Sequence, residues 1–170
     1  NVRTPVERAG DLRAQIAANK MGVMRYLALF ERYGEEETRR YRQELVDYAE
    51  RMMQAFILTL PNGTFEFEDH LDNNGITDSP IKIKVGITIN DEDVTVDFTG
   101  SDPQQPGSIN AVHAITLSAV YYVFRCLIGK DIPNNTGSLK PIKVIGPEGT
   151  VVNAVHPAPV AGGNVETSQR

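Results

Sequence analysis

Ile81, Ile83, Val85, Ile87 and Ile89 alternate with Lys82, Lys84, Gly86 and Thr88, the strongest strand signal in the chain. A period of two sends successive side chains to opposite faces of a sheet. A slip of one residue would expose the whole apolar set, so the register is tightly specified. Asn90-Asp91-Glu92-Asp93 supplies turn residues, after which Val94, Val96 and Phe98 alternate with Thr95 and Asp97. The pattern predicts a β-hairpin with a defined inside and outside. The inside needs a cover, and the remainder of the chain must supply it.

Two helical stretches precede the hairpin. Asn1 to Ala9 has no periodicity and reads as a lead-in. From about Asp11, Leu12, Ile16, Val23, Leu27 and Phe30 recur at helical spacing, with Arg13, Lys20 and Arg32 free to face water. Gly34 is a natural stop. A second helix is expected from about Glu35 to Leu60, with Tyr41, Leu45, Tyr48, Met52 and Phe56 on one stripe. Glu35/Arg39, Glu36/Arg40 and Asp47/Arg51 stand four apart in the favourable order, each adding only a few tenths of a kcal/mol. The short joint favours an antiparallel helical hairpin; a coiled-coil dimer arm is the alternative.

Pro61-Asn62-Gly63 turns the chain into a short alternating strand, Thr64 to Glu68, and an acidic, amide-rich loop from Asp69 to Ser79. Beyond the β-hairpin, a Gly/Pro/Gln loop leads to Asn110, read as the cap of a third helix ending near Gly129. That helix is apolar nearly all round, which predicts burial between layers. Strands are expected at Ile142–Ile145 and Val151–Val155, around the turn Gly146-Pro147-Glu148-Gly149. The fold class is therefore α+β: residues 1–60 a helical hairpin, residues 61–170 mainly antiparallel sheet with one buried helix.

A chain of 170 residues buries roughly 70% of its unfolded surface, enough for one core. The formal charge of -5 argues against a nucleic-acid partner, which selects a basic face. Cys126 is the sole cysteine, so no internal disulfide forms and a reducing, cytoplasmic setting is expected. Its apolar neighbours predict a quiet, buried thiol. The longest apolar run, Ala111 to Ile128, is broken by His113, Thr116, Ser118 and Arg125, too short and polar to span a membrane. With no signal peptide in view, the sequons at Asn62 and Asn134 read as chance.

Site chemistry is sparse. Setting Gly75 at the invariant glycine of a calcium loop puts His70 and Ile81 where carboxylates are needed, so the calcium reading fails. Asx turns are the expected content of that loop, with a different metal on His70 and Asp72 as the alternative. His70, His113 and His156 are far apart and match no zinc spacing. His113 reads as a core or cap residue, and His156 as better placed for chemistry. Neither a phosphate-binding loop nor a dinucleotide fingerprint occurs.

The most suggestive stretch is Gly162-Gly163-Asn164-Val165-Glu166-Thr167-Ser168-Gln169-Arg170. Two glycines follow a segment that Pro157 and Pro159 keep out of helix. Asn164 is a good N-cap, and Glu166 would sit in the first turn of a helix, where its charge suits the dipole. A helix opened here with free amides could face an anion. The expectation is an interior piece of a longer subunit. Asn164, Glu166, Gln169 and Arg170 are the polar side chains of this stretch that could meet such a ligand. Each also has a structural reading: Asn164 as cap, Glu166 as dipole partner, Gln169 and Arg170 as helix surface.

Several stretches resemble the B subunit of the hydantoinase and 5-oxoprolinase family, which also contains acetone carboxylase. They are Gly10 to Asn19, Val94-Thr95-Val96-Asp97-Phe98-Thr99-Gly100, Ser118 to Arg125, Ile145 to Gly149, and Val160 to Arg170. The resemblance implies an ATP-dependent enzyme that opens a cyclic amide. A companion A-type subunit would bind ATP with magnesium and phosphorylate the amide oxygen, and the B subunit would complete the ring opening in a hetero-oligomer. In the carboxylase branch a small carbonyl substrate would meet bicarbonate instead. The resemblance also implies a divalent metal held by residues N-terminal to this segment, so the segment would be inactive alone and no metal ligand is carried onto its residues. Within such a subunit this segment would form part of the site wall, with Asn164, Glu166, Gln169 and Arg170 as the leading substrate-site candidates and His156 and Asn110 behind them. A non-catalytic assembly role within the same complex is the reading from a different class.

Overall fold

The structure, a computed structural model, describes residues 4–129 and 131–170. Residues 1–3 of the lead-in lie outside the described set. Helix α1 (Pro5–Tyr33) begins six residues ahead of the expected start. Pro5 at the first helical position has a preset φ and no donor to lose, and Glu7 meets the positive end of the dipole. Gly34 ends the helix at φ 84°, its amide donating to the Phe30 carbonyl at 2.9 Å. Helix α2 (Glu35–Ile57) follows at once.

The chain forms two compact units whose boundary falls inside α2, after Leu45. The first holds α1 and the first part of α2. Around its bend the Tyr26 and Phe30 rings sit 4.9 Å apart, the Arg39 guanidinium lies 5.5 Å from the Phe30 ring centre, and the Thr38 hydroxyl donates to the Leu29 carbonyl. Arg39 pairs with Glu35 as expected, but Arg40 takes Glu37 in place of Glu36. Such exposed pairs contribute at most about 1 kcal/mol each.

The second unit carries the sheet: β1 (Gly63–Leu71), β2 (Ile81–Asn90), β3 (Asp93–Asp97) and β4 (Ile142–Ile145), in that spatial order. The first two pairings are antiparallel. β3 and β4 run parallel, because the chain crosses between them through helix α3 (His113–Ile128). The hairpin register sets Ile87 against Val96 and Ile89 against Val94, as the alternation requires. Ile89, Val94, Val96 and Ile142 meet Val120, Phe124 and Ile128 of α3 and Met53 and Ile57 of α2 in one core. A second cluster joins Leu71, Ile81 and Ile83 to Val151 and Val152.

Several expectations change. β1 runs on through Asp69, His70 and Leu71, where the sequence pattern suggests a loop. On α2 the buried stripe is Ala49, Met53 and Ile57, of which Met53 and Ile57 join the sheet's core, whereas Tyr41, Leu45 and Tyr48 are exposed. Asp47 reaches Lys140 at 3.7 Å, and Glu50 accepts a closer bond from the same ammonium. Both carboxylates raise the lysine above its ordinary range, the Glu50 hydrogen bond most. α3 buries one face, Thr116, Val120, Phe124 and Ile128, while Tyr122 is 70% exposed. Cys126 is exposed rather than a buried thiol, with Tyr122 as its hydrogen-bond neighbour. Asn110 does not cap α3, since Val112 stands at that position. Val151–Val155 forms turns and isolated bridges in place of a strand: Val151 and Ala154 bond to Asp102 and Ala111 of the preceding loop.

At the end of β3, Asp97 accepts from the Thr99 amide at 2.8 Å. The Thr99 hydroxyl and amide together hold the Asp97 carboxyl below the usual carboxylate range. A depressed folded pKa adds stability above the unfolded value of about 3.9 and loses it as pH falls through the folded value. Thr99→Val should therefore raise the Asp97 pKa in an NMR titration and flatten the loss of stability below about pH 4. Phe124→Ala should lower stability by about 3–5 kcal/mol in urea unfolding, whereas Val123→Ala on the open face should cost under about 1 kcal/mol.

Candidate functional site

The second unit's polar edge is built on one buried amide. Asn110 is fully buried. Its Oδ1 accepts from the Gln105 amide at 2.6 Å, and its Nδ2 donates to the carbonyls of Gln105, Gly107 and Pro159 at 2.8, 3.0 and 2.8 Å. One side chain thus ties the 105–107 loop to a segment about fifty positions later in the chain. The terminal segment docks alongside. The Ser108 carbonyl accepts from the amides of Gly162 and Gly163 at 2.6 and 3.0 Å, and the Thr167 hydroxyl donates to the Ile109 carbonyl. Gly163 lies so close that a Cβ would stand 2.0 Å from the Asn110 carbonyl oxygen, which excludes any larger residue.

The loop after β1 closes the other side. Asn73 Oδ1 accepts from the Gly75 amide, and Asn74 Oδ1 from the amides of Ile76 and Thr77, each at 2.8 Å. These are the expected Asx turns. Asn74 Nδ2 reaches Gln105 Oε1 at 3.1 Å, and Gly107 packs on the Asn74 carbonyl where a Cβ would lie at 1.7 Å.

Between these segments lies a polar groove of about 290 Å³ lined by Asp72, Asn73, Ser108, Glu166 and Arg170. A smaller apolar pocket of about 80 Å³ adjoins it, walled by Phe67, Ile83, Val85, Phe98, Ile115 and Val152, with Asp69 at its edge. Arg170 lines both cavities. Its Nη1 donates to Asp69 Oδ2 at 3.5 Å, and Asp69 Oδ1 accepts from the His70 amide at 2.8 Å. An apolar chamber beside a few convergent polar groups is the usual form of a small-molecule site. A larger groove, about 660 Å³, lies in the helical unit. It is lined chiefly by Tyr26, Leu29, Tyr33, Tyr41 and Leu45, and Glu37 and Arg42 are its only ionised side chains.

Of the six residues singled out from sequence, Glu166 and Arg170 face the groove. Asn110 is internal scaffolding. Asn164, Gln169 and His156 are exposed and line neither cavity. The terminal stretch forms two short 3₁₀ turns, Gly162–Asn164 and Thr167–Gln169, rather than an opening α-helix, and Asn164 makes no capping bond. The bonds of Ser108 and Ile109 to this segment hold it in turns. Sequence reasoning misses Asp69, Thr167 and Ser168, and it names Asp72 only as an alternative metal ligand with His70, which lines neither cavity. The continuing alternation Phe65, Phe67, Asp69, Leu71 is the available signal. Among the described residues no group of three or more His, Cys, Asp or Glu side chains is placed to hold a metal ion. No metal-dependent step is assigned to them.

The profile of the family described as Hydantoinase B/oxoprolinase matches residues 1–170. The chain belongs to this family. An uncharacterized protein of Methanocaldococcus jannaschii is 39% identical over 170 residues, all of this chain and 30% of its own length. The B subunit of a putative D-/L-hydantoinase from a Pseudomonas species is 34% identical over 171 residues, 94% of this chain and 29% of that protein. The family member described here thus spans about 30% of the length of such relatives. Its structure matches an ATP-dependent caprolactamase from Pseudomonas jessenii with a TM-score of 0.84 at 29% identity, over 98% of this chain and 29% of that one. Acetone carboxylase shares the fold, with a TM-score of 0.68 at 18% identity over 81% of this chain and 20% of the other. No helix among the described residues is long and apolar enough to cross a membrane.

Asn110→Ala removes four hydrogen bonds and strands the buried carbonyls they served. It should cost about 2–4 kcal/mol in urea unfolding and raise amide exchange at Gly162 and Gly163.

Proposed function

We propose that this chain is the part of a hydantoinase B-type subunit that forms one wall of the site where a cyclic amide is opened at the expense of ATP, in the cytoplasm. The observation that carries the reading is the convergence of Asp72, Glu166 and Arg170 on one groove beside an apolar pocket, in a chain of this family. Two of the relatives, a hydantoinase subunit and an ATP-dependent caprolactamase, point the same way.

An amide resists water because nitrogen donates into its carbonyl. Phosphorylation of the oxygen by an A-type partner carrying ATP and magnesium would weaken that donation and leave a far better leaving group. Water would then add at the ring carbon, the C–N bond would break with a proton passing to the departing nitrogen, and a second water would release the phosphoryl group as inorganic phosphate to leave the open-chain carboxylate. Within this scheme Arg170 supplies a planar fork suited to the phosphorylated oxygen. Glu166 and Asp72 offer carboxylates that can accept from a ring N–H or from water. The apolar pocket receives the hydrocarbon part of the ring. A divalent metal, if the longer subunit holds one, would be bound by residues beyond those described.

The test is ATP-dependent turnover of hydantoin, 5-oxoproline, caprolactam and acetone by the full-length subunit mixed with its A-type partner. Cyclic-amide turnover, falling by about 10²-fold or more in Arg170→Ala with the complex intact on gel filtration, is the expected result. Loss of the complex with undiminished turnover in what remains would favour an assembly role. No ATP-dependent activity on any of them would overturn the reading.

A further inference from the structure

The Asp69–Arg170 contact joins two residues 101 positions apart. The place of Asp69 is fixed by the sheet. Asp69 pairs with Ile83 in the β1–β2 register, on the same face as Phe67 and Leu71, which pair with Val85 and Ile81. That face is apolar, and Asp69 is its one carboxylate on β1. It stands at the edge of the small apolar pocket. One oxygen is engaged by the His70 amide, and the other is aimed at Arg170 Nη1. Arg170 in turn is the residue shared by pocket and groove, so its direction decides what a ligand meets at their junction.

We propose that Asp69 is the positioning residue of this site: its carboxylate holds the Arg170 guanidinium across the junction of apolar pocket and polar groove. The inference rests on the functional reading above. A long arginine side chain loses much rotamer entropy when fixed, and a single charged acceptor on a rigid strand offsets that loss. With one Nη donating to Asp69, the rest of the planar fork faces the cavity with its remaining donors set. Both side chains are about 40% exposed, so the pair adds little to folding stability. Its effect falls on geometry at the site.

The roles separate by experiment in the full-length subunit with its partner. Asp69→Asn should leave the thermal midpoint within a degree or two while lowering kcat/KM by about tenfold, because the neutral amide holds the guanidinium less firmly. Arg170→Ala should lose more, and added guanidinium ion should restore part of its activity. That rescue should be at least several-fold weaker in the Asp69→Asn/Arg170→Ala double variant. Equal rescue in both backgrounds, or wild-type kinetics for Asp69→Asn, would overturn the proposal. A second readout needs no turnover. Phenylglyoxal modification of Arg170, followed by peptide mapping, should be several-fold faster in Asp69→Asn than in the parent. An unchanged rate would sink the pairing even if no substrate is found. Absent turnover with a faster modification rate would retain the pairing and count against the functional reading alone.

Discussion

The buried carboxamide of Asn110 is the interaction on which the polar edge depends. A carboxamide has two N–H donors and an acceptor oxygen with two lone pairs; here the two donors serve three backbone carbonyls, one N–H being shared, and the oxygen accepts from one amide, inside a site closed to water. Satisfied in this way, the group is inexpensive to bury; left with a missing partner, it would be costly. The arrangement therefore has one low-energy solution. It sets Gln105, Gly107 and Pro159 around one point, and Gly163 can then lie on the Asn110 carbonyl with no room for a side chain.

Around that point three segments distant in the chain meet: the loop after β1, the loop before α3, and the terminal turns. Each is irregular, and each satisfies its backbone through side chains or neighbouring loops. Asn74 caps its own loop and reaches Gln105, while Thr167 reaches Ile109. Strand β1 supplies the rigid part, since nine of its residues are paired with β2. The groove is thus loop-built but referenced to a sheet, which places polar side chains beside an apolar floor.

The alternating residues 81–98 made the hairpin legible, because a period of two admits one register with one buried face. The helices around Gly34 were legible from helical spacing and the glycine stop, although α1 buries none of its residues and Leu12, Ile16, Val23 and Leu27 are exposed. Other features depended on contacts that no local pattern encodes. On α2 two apolar stripes compete, and only the sheet selects Ala49, Met53 and Ile57 over Tyr41, Leu45 and Tyr48. Asp69 and His70 look like loop because acids and amides surround them, yet cross-strand pairing with Ile83 and Lys82 carries the strand through. Asn164 and Glu166 have helix-start chemistry, but the Ser108 carbonyl takes the amides of both preceding glycines and the segment settles into turns. Of the groove's lining, Glu166 and Arg170 stand in the family-like tail and Asp72 in the amide-rich loop. Asn110 stands out in the sequence but in a different role, and the meeting of Asp69 with Arg170 becomes visible only in three dimensions.

The groove between the Asn73–Gly75 loop and the terminal turns, with the apolar pocket beside it, is the place proposed for the cyclic amide. The most direct measurement is a crystal structure of the longer subunit with an unreactive cyclic-amide analogue bound. The account predicts the ring against Phe67 and Val85, with its polar edge within hydrogen-bonding distance of the Arg170 guanidinium. An analogue bound elsewhere, with this groove filled by other parts of the polypeptide, would contradict it.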